Sequence, residues 1–333
     1  MLSKNYVYAM GWVILILCYT VSMPYSMQII SNAGVYWAFG VDPIIVVISI
    51  AIIYALSLPL YYRSLDQNHI GKSVIAWQAV RDLATFKKLT QEKRTALLAV
   101  LIKGYFTPLI FGWFFFCLYS IFNSAEQLAL GDLSLKNIYS LLFNTLILID
   151  TGVFILGYTF EHPRLGNTIK SADPNISGWF FALICYPPLL DHTRNIIEWS
   201  NHSTTTGTDL IIATLSSIAM LVLMAIYTWA SVALGFKASN LTNRGIINKG
   251  PYKYVRHPAY AAKNLSWFVG GLPLALTIAQ ENLQQGLLAL IGMLCWIGIY
   301  VMRAITEERH LSSDPDYKEY MSKVRYRFVP GII

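Results

Sequence analysis

Apolar residues run along this chain in long uninterrupted blocks, unlike the alternation of a half-buried strand or the narrow stripe of a surface helix. Val7 to Met23, Ile44 to Leu60, Ala96 to Ile121, Ile138 to Tyr158, Leu210 to Phe236 and Gly286 to Val301 each approach or exceed the length of helix that crosses a bilayer. Read with their flanking charges, the blocks predict an all-α integral membrane protein with about eight transmembrane helices. The first two spans run roughly from Tyr6 to Ile30 and from Val41 to Tyr62, joined by a short loop without Lys or Arg. The third and fourth cover about Ala96 to Phe122 and Asn137 to Phe160, around a mildly acidic loop. The fifth, Gly178 to about Ile197, is interrupted by Pro187-Pro188 and reads as a broken span or a re-entrant segment. The sixth covers approximately Asp209 to Phe236, and a tight hairpin of two spans turning around Gln280 to Leu283 completes the set.

The polar stretches between these blocks orient them. Arg63 to Arg94 carries Arg63, Lys72, Arg81, Lys87, Lys88, Lys93 and Arg94, which the positive-inside rule places in the cytoplasm. Within it, Ile70, Val74, Trp77 and Val80 recur at near-helical spacing, so it is either an amphipathic helix lying on the bilayer or a solvated connector. Arg164 and Lys170 mark a return to the cytoplasm, and a basic loop from Lys237 to Lys263 precedes the hairpin. Even parity then puts both termini and that loop on the cytoplasmic side; a re-entrant fifth segment would break the parity.

Composition agrees with a membrane class. The 333 residues are 55% hydrophobic and 13% charged, with a mean hydropathy of +0.49, and a soluble protein of this length needs more surface charge. The formal charge of +7 therefore reads as basic loops facing anionic headgroups, not as nucleic-acid binding. Cys18, Cys117, Cys185 and Cys295 lie in or beside apolar runs without metal-ligand spacing, which argues for unpaired thiols. Lys4 before an apolar core resembles a signal peptide, but no small-residue cleavage site follows, so the segment is expected to stay as the first span. There is no internal repeat and no glycine-rich phosphate loop after a strand, so a nucleotide-containing cofactor would bind within the helical bundle. The chain divides into an N-terminal multispanning region, 1–236, and a hairpin with a cytoplasmic tail, 237–333.

Candidate chemistry gathers in that last part. Gly250-Pro251-Tyr252-Lys253-Tyr254-Val255-Arg256-His257-Pro258-Ala259-Tyr260 precedes the hairpin; Arg303-Ala304-Ile305-Thr306-Glu307-Glu308-Arg309-His310-Leu311 ends it; a Tyr/Arg-rich tail runs from Tyr317 to Gly331. Pro258 favours extended backbone at His257, and a helix begun at Pro258 holds Tyr260 near its entrance. A positive-inside anchor with a belt tyrosine would explain Arg256 alone. Two carboxylates, Glu307 and Glu308, are unfavourable at a helix C-terminus, so a compensating cation is expected: Arg256, His257, Arg303 or a positively charged ligand. A carboxylate also accepts hydrogen bonds from ribose hydroxyls or an ammonium group. The plainer alternative is a solvated Glu-Glu-Arg helix face.

These residues resemble the isoprenylcysteine carboxyl methyltransferases and related membrane phospholipid methyltransferases. The resemblance covers about Gly250 to Gly331 and rests on Arg-His-Pro-x-Tyr, the helical hairpin and Glu-Glu at its end. It implies S-adenosylmethionine as cofactor, held by His257, Tyr260, Glu307 and Glu308, with Tyr252 and Tyr317 beside it. It implies catalytic roles for Arg256, His257 and Arg303, and looser ones for Tyr320 and Arg325. Where the family often has Gly, this chain has Ala262. The closing segment, Val324 to Gly331, also resembles that of membrane sterol reductases, which use NADPH; their motif typically has Asn where Ala259 stands. Ala259 and Glu307-Glu308 favour the methyltransferase.

Methyl transfer from a sulfonium needs in-line placement and exclusion of water, not a covalent enzyme intermediate. An Arg would orient a carboxylate acceptor; an amine acceptor would need a base, His257 or a glutamate. The acceptor is expected to be lipidic, with no nucleic acid and no metal involved. An NADPH-dependent reductase and a non-enzymatic lipid-binding or transport protein are the alternatives. A second polar cluster, Glu161-His162-Pro163-Arg164 with Asp191, His192 and Arg194, is a weaker candidate for a headgroup site. His192, Glu198 and His202 match no standard metal-ligand spacing.

Overall fold

The protein is described by a computed structural model covering residues 2–22, 40–65, 70–196 and 210–332. It is built from helices: α1 (Leu2–Ser22), α2 (Pro43–Ser64), α3 (Lys72–Ala84), α4 (Gln91–Ala129), α5 (Leu135–Thr159), α6 (Ile176–Leu183), α7 (Leu189–Ile196), α8 (Leu210–Leu234), α9 (Pro258–Glu281), α10 (Leu283–Leu311) and α11 (Pro315–Lys323). Among the described residues six helices, α1, α2, α4, α5, α8 and α10, are long and apolar enough to cross a membrane. The protein is thus an all-α, multi-pass membrane protein, with two departures from the eight expected spans. The fifth segment is two eight-residue helices, α6 and α7, each only about 12 Å long. A cis Pro187-Pro188 peptide lies between them. The seventh, α9, has 24 residues and about 36 Å of length, but Lys263, Asn264, two glycines and Pro273 dilute its apolar character. The predicted first span stops at Ser22; its continuation to Ile30 lies outside the described residues.

The stretch after α2 does fold as a helix. On α3, Val74, Ala76 and Ala79 are buried, and Trp77 Nε1 donates to the Tyr8 carbonyl at 3.0 Å while Trp12 Nε1 donates to that of Ser73 at 3.1 Å. Its apolar side therefore packs on α1 and α4 as part of the bundle.

Helix directions follow from side-chain pairs. Residues 146, 150 and 157 of α5 meet residues 228, 231 and 238 in that order, so α5 and α8 run parallel. Tyr260 meets Tyr300, and Gly271 meets Met293, so α9 and α10 are antiparallel. Their turn is a single residue, Asn282, whose side chain caps α10 by accepting from Gln285 N at 3.1 Å. A Cβ on Gly286 would lie 2.4 Å from that of Ala279, so the tight hairpin depends on glycine there.

One face of the bundle collects the ends of α2, α5, α8 and α10 and the starts of α1, α4, α6 and α9. Contacts cross it in sequence: Asn5 caps Gly71 N at 2.9 Å; Lys72 and Lys103 pair with Glu161; Glu161 accepts from Ile169 N at 3.0 Å; Lys170 reaches Asp314 at 3.1 Å. A two-residue antiparallel pairing, Ser171 with Asn243 and Ala172 with Thr242, joins the loops after α5 and α8 on the same face. Since α6 starts on this face and α8 starts on the other, the chain changes face between Ile176 and Leu210.

Candidate functional site

Where the chain turns into α9, Pro258 is the first helical residue, as the sequence predicts, and His257 stands outside the helix, but with φ −126° and ψ 59° its backbone is not the extended one expected before proline. His257 and Tyr260 stack with ring centroids 5.4 Å apart and planes 4° from parallel. The tail returns across this entrance. Arg256 N donates to the Tyr326 carbonyl and His257 N to that of Arg327, both at 2.9 Å. Tyr320 Oη donates to the Tyr252 carbonyl at 2.8 Å.

The two adjacent glutamates do different work. Glu308, 6% exposed, is enclosed by three basic side chains. Arg256 Nε and His257 Nε2 meet its Oε1 at 2.8 and 3.1 Å, and Arg327 Nη2 donates to its Oε2 at 2.7 Å. This arrangement compensates a buried carboxylate at a helix C-terminus and ties the entrance of α9, the end of α10 and the tail into one unit. In return, Glu308 holds the Arg327 guanidinium above its usual pKa. Glu307 is half-buried and faces a cavity. Its Oε2 accepts from Tyr260 Oη at 2.7 Å, and its Oε1 has no hydrogen-bond partner among the described residues.

That cavity, about 150 Å³, is lined by Tyr252, Arg256, His257, Tyr260, Arg303, Glu307, Tyr317 and Tyr320. Every residue expected at the site therefore lines one space, except two. Glu308 lies behind the wall, and Arg325 is exposed on the tail. Burial raises the pKa of the Tyr252 and Tyr317 hydroxyls, and for Tyr317 the charges of Glu308 and Glu307 add to it; both stay protonated donors at neutral pH. The cavity is not confined to the C-terminal region, since Phe154 of α5, Tyr186 before α7, and Tyr227 and Ser231 of α8 complete it.

Sequence reasoning missed Lys263 and Arg244 in the lining and Asp150 behind it. Lys263, taken as the end of a basic loop, sits inside α9 with its Nζ 5.7, 5.1 and 5.3 Å from the ring centroids of Tyr227, Trp267 and Tyr300. Asp150, 6% exposed within α5, accepts from Tyr227 Oη at 3.1 Å and from the Ser231 hydroxyl. Arg244, 3% exposed, donates from Nη1 to the Gly157 carbonyl at 2.5 Å. A charge inside an apolar block is a functional signal in its own right, and it was available for Asp150 and Lys263. Arg303, which was expected, is 6% exposed; it donates to Asn240 Oδ1 and lies over the rings of Tyr186, Tyr260 and Tyr300.

The second polar cluster is structural. Glu161 is the acceptor that joins Lys72, Lys103 and Ile169 N, and His162 bonds Ser64 at 3.0 Å. Asp191, His192 and Arg194 belong to α7, away from the cavity lining; Glu198 and His202 lie outside the described residues. No group of His, Cys, Asp or Glu among the described residues could hold a metal, and the four cysteines are unpaired.

The donor set suits an adenosyl cofactor. Glu307 offers a free carboxylate oxygen for ribose hydroxyls or an ammonium group, and seven of the lining residues are tyrosines, whose faces take a purine or a sulfonium. Residues 193–324, less than half of the chain, match a family of membrane-associated proteins described as a protein of unknown function (DUF1295). The matched stretch spans α8 to α11 and so includes His257, Tyr260, Arg303 and Glu307. No curated protein and no solved structure matches the chain at a significant level.

Proposed function

We propose that this protein is an S-adenosylmethionine-dependent methyltransferase acting on a carboxylate of a lipidic, isoprenylcysteine-like acceptor where the bundle meets the cytosol. The observation that carries the reading is the meeting of His257, Tyr260 and Glu307 with Arg303 on one cavity, enclosed by aromatic residues at the end of a membrane hairpin. When bound, S-adenosylmethionine supplies an electrophilic methyl group whose transfer to a carboxylate oxygen leaves a neutral thioether and moves no proton. Arg303 holds and orients the acceptor carboxylate, and Glu307 receives the hydroxyls or the ammonium group of the cofactor. Arg256 and His257, fixed by Glu308, hold the entrance of α9 in place, while Tyr252, Tyr317 and Tyr320 exclude water.

A carboxylate acceptor fits better than an amine. Lys237, Arg244, Arg256, Lys263 and Arg303 line the cavity against one carboxylate, Glu307, and such a lining repels a cationic amine. An amine also needs a base, yet His257 is held by Glu308 and the free oxygen of Glu307 is the one assigned to the cofactor. The same excess of positive charge favours one alternative, an NADPH-dependent reductase whose polyanionic cofactor would occupy this cavity.

Calorimetric titration of the purified protein with S-adenosylmethionine, S-adenosylhomocysteine and NADPH separates the two. The adenosyl ligands are expected to bind, with affinity reduced at least about tenfold in Glu307→Gln, a loss of about 1.4 kcal/mol. Binding of NADPH alone moves the protein to the reductase class. Unchanged adenosyl affinity in both Glu307→Gln and His257→Ala sinks the site assignment.

A further inference from the structure

The cavity contains more buried positive charge than its own carboxylates neutralise. Among the described residues neither Arg303 nor Lys263 forms an ion pair, although both lie inside membrane-length helices and both line the cavity. Each lies over the ring of Tyr300, at 5.7 Å for Arg303 and 5.3 Å for Lys263. Ring faces stabilise a desolvated cation only in part, because the desolvation of one buried charge costs more than such contacts return. Asp150, which shares Tyr227 with Lys263, has both oxygens engaged by Tyr227 and Ser231. A single acceptor carboxylate placed on Arg303 leaves Lys263 without an anion.

We infer that Lys263 forms a second anion subsite in the cavity, for a phosphate-type oxyanion carried by the ligand in addition to the group held at Arg303. The inference deepens the reading given above by making the acceptor a lipid with two anionic groups. Its geometry stands on Lys263 alone, whatever reaction takes place at Arg303. The ammonium is seated among Tyr227, Trp267 and Tyr300, so it presents its charge to the cavity from a fixed position without a bond that must first be broken. Asp150 is a positioning residue, because it fixes Tyr227 and Ser231, two side chains that both line the cavity.

The test uses the full-length protein in detergent with phosphatidic acid, and diacylglycerol of the same chains as the neutral control; affinities are read by calorimetry. Wild type is expected to prefer phosphatidic acid at least about tenfold, Lys263→Arg to keep that preference and Lys263→Met to lose it. Melting temperature and S-adenosylhomocysteine affinity check that Lys263→Met is folded with its cofactor region intact. Survival of the preference in Lys263→Met overturns the inference, as does its absence in wild type together with the absence of Lys263-dependent binding of inorganic pyrophosphate or NADPH. If phosphatidic acid shows no preference while inorganic pyrophosphate or NADPH binds in a Lys263-dependent way, the subsite stands and its phosphate comes from a soluble nucleotide. Loss of S-adenosylhomocysteine binding in wild type, with phosphatidic acid recognition retained, would remove the methyl-transfer reading alone.

Discussion

At the scale of single residues, Glu307 and Glu308 show what a motif can and cannot reveal. The sequence places both at the end of the hairpin and requires basic compensation for them. It does not say which one receives that compensation, because Arg327 comes from a tail that folds back nineteen positions later. Glu308→Gln removes the charge that Arg256, His257 and Arg327 share. Breaking a buried ion cluster from one side costs on the order of 3 kcal/mol. We expect a lowered melting temperature and faster hydrogen exchange at residues 324–330, while Glu307→Gln leaves both near wild type. Equal destabilisation by the two variants would contradict the division of labour. Lys263 and Asp150 were legible only as charges in apolar sequence; what gives them a role is Tyr227, which touches both from a third helix.

Among the elements, hydropathy located the cores of α2, α4, α5, α8 and α10 well, since burial in lipid demands uninterrupted apolar residues. It failed where helix and membrane boundaries differ. α4 runs from Gln91 to Ala129, beyond the predicted Ala96 to Phe122, because backbone hydrogen bonds continue where side chains turn polar. Pro187-Pro188 marked the break between α6 and α7, but the pattern alone left a broken span and a re-entrant segment equally open. The α9–α10 turn was read nearly to the residue, and its glycine supplies a prediction. In Gly286→Ala the new methyl group would press on the Cα and Cβ of Ala279, at 2.5 and 2.4 Å. Such overpacking costs about 1–3 kcal/mol, visible as a lower denaturation midpoint in detergent; an unchanged midpoint would mean that the hairpin opens without cost.

Across the whole molecule, Glu161 is the junction of the face that carries the site. It joins α3, α4 and the loop after α5, and Lys103 and Lys72 hold its carboxyl well below the usual carboxylate range despite burial. A carboxylate depressed on folding stabilises the protein fully above its unfolded pKa of about 4.3, and that stability is lost as pH falls through the folded value. The stability gap between wild type and Glu161→Gln should therefore be flat from about pH 8 to about pH 6 and close below about pH 4.3. A gap that widens on acidification would contradict the assignment. None of these partnerships was visible in the sequence, because Lys72, Lys103 and Glu161 lie on separate elements, with all of α5 between Lys103 and Glu161.

The contacts that run from Asn5 through Glu161 to Asp314 have a practical corollary. Because they gather the beginning and the end of the described chain on the same side as the cavity, complementary halves of a split fluorescent reporter, fused to either end, should reassemble within one molecule. That glow would come from the compartment in which the cavity opens, so one labelling experiment on intact cells would report the side from which a water-soluble ligand arrives.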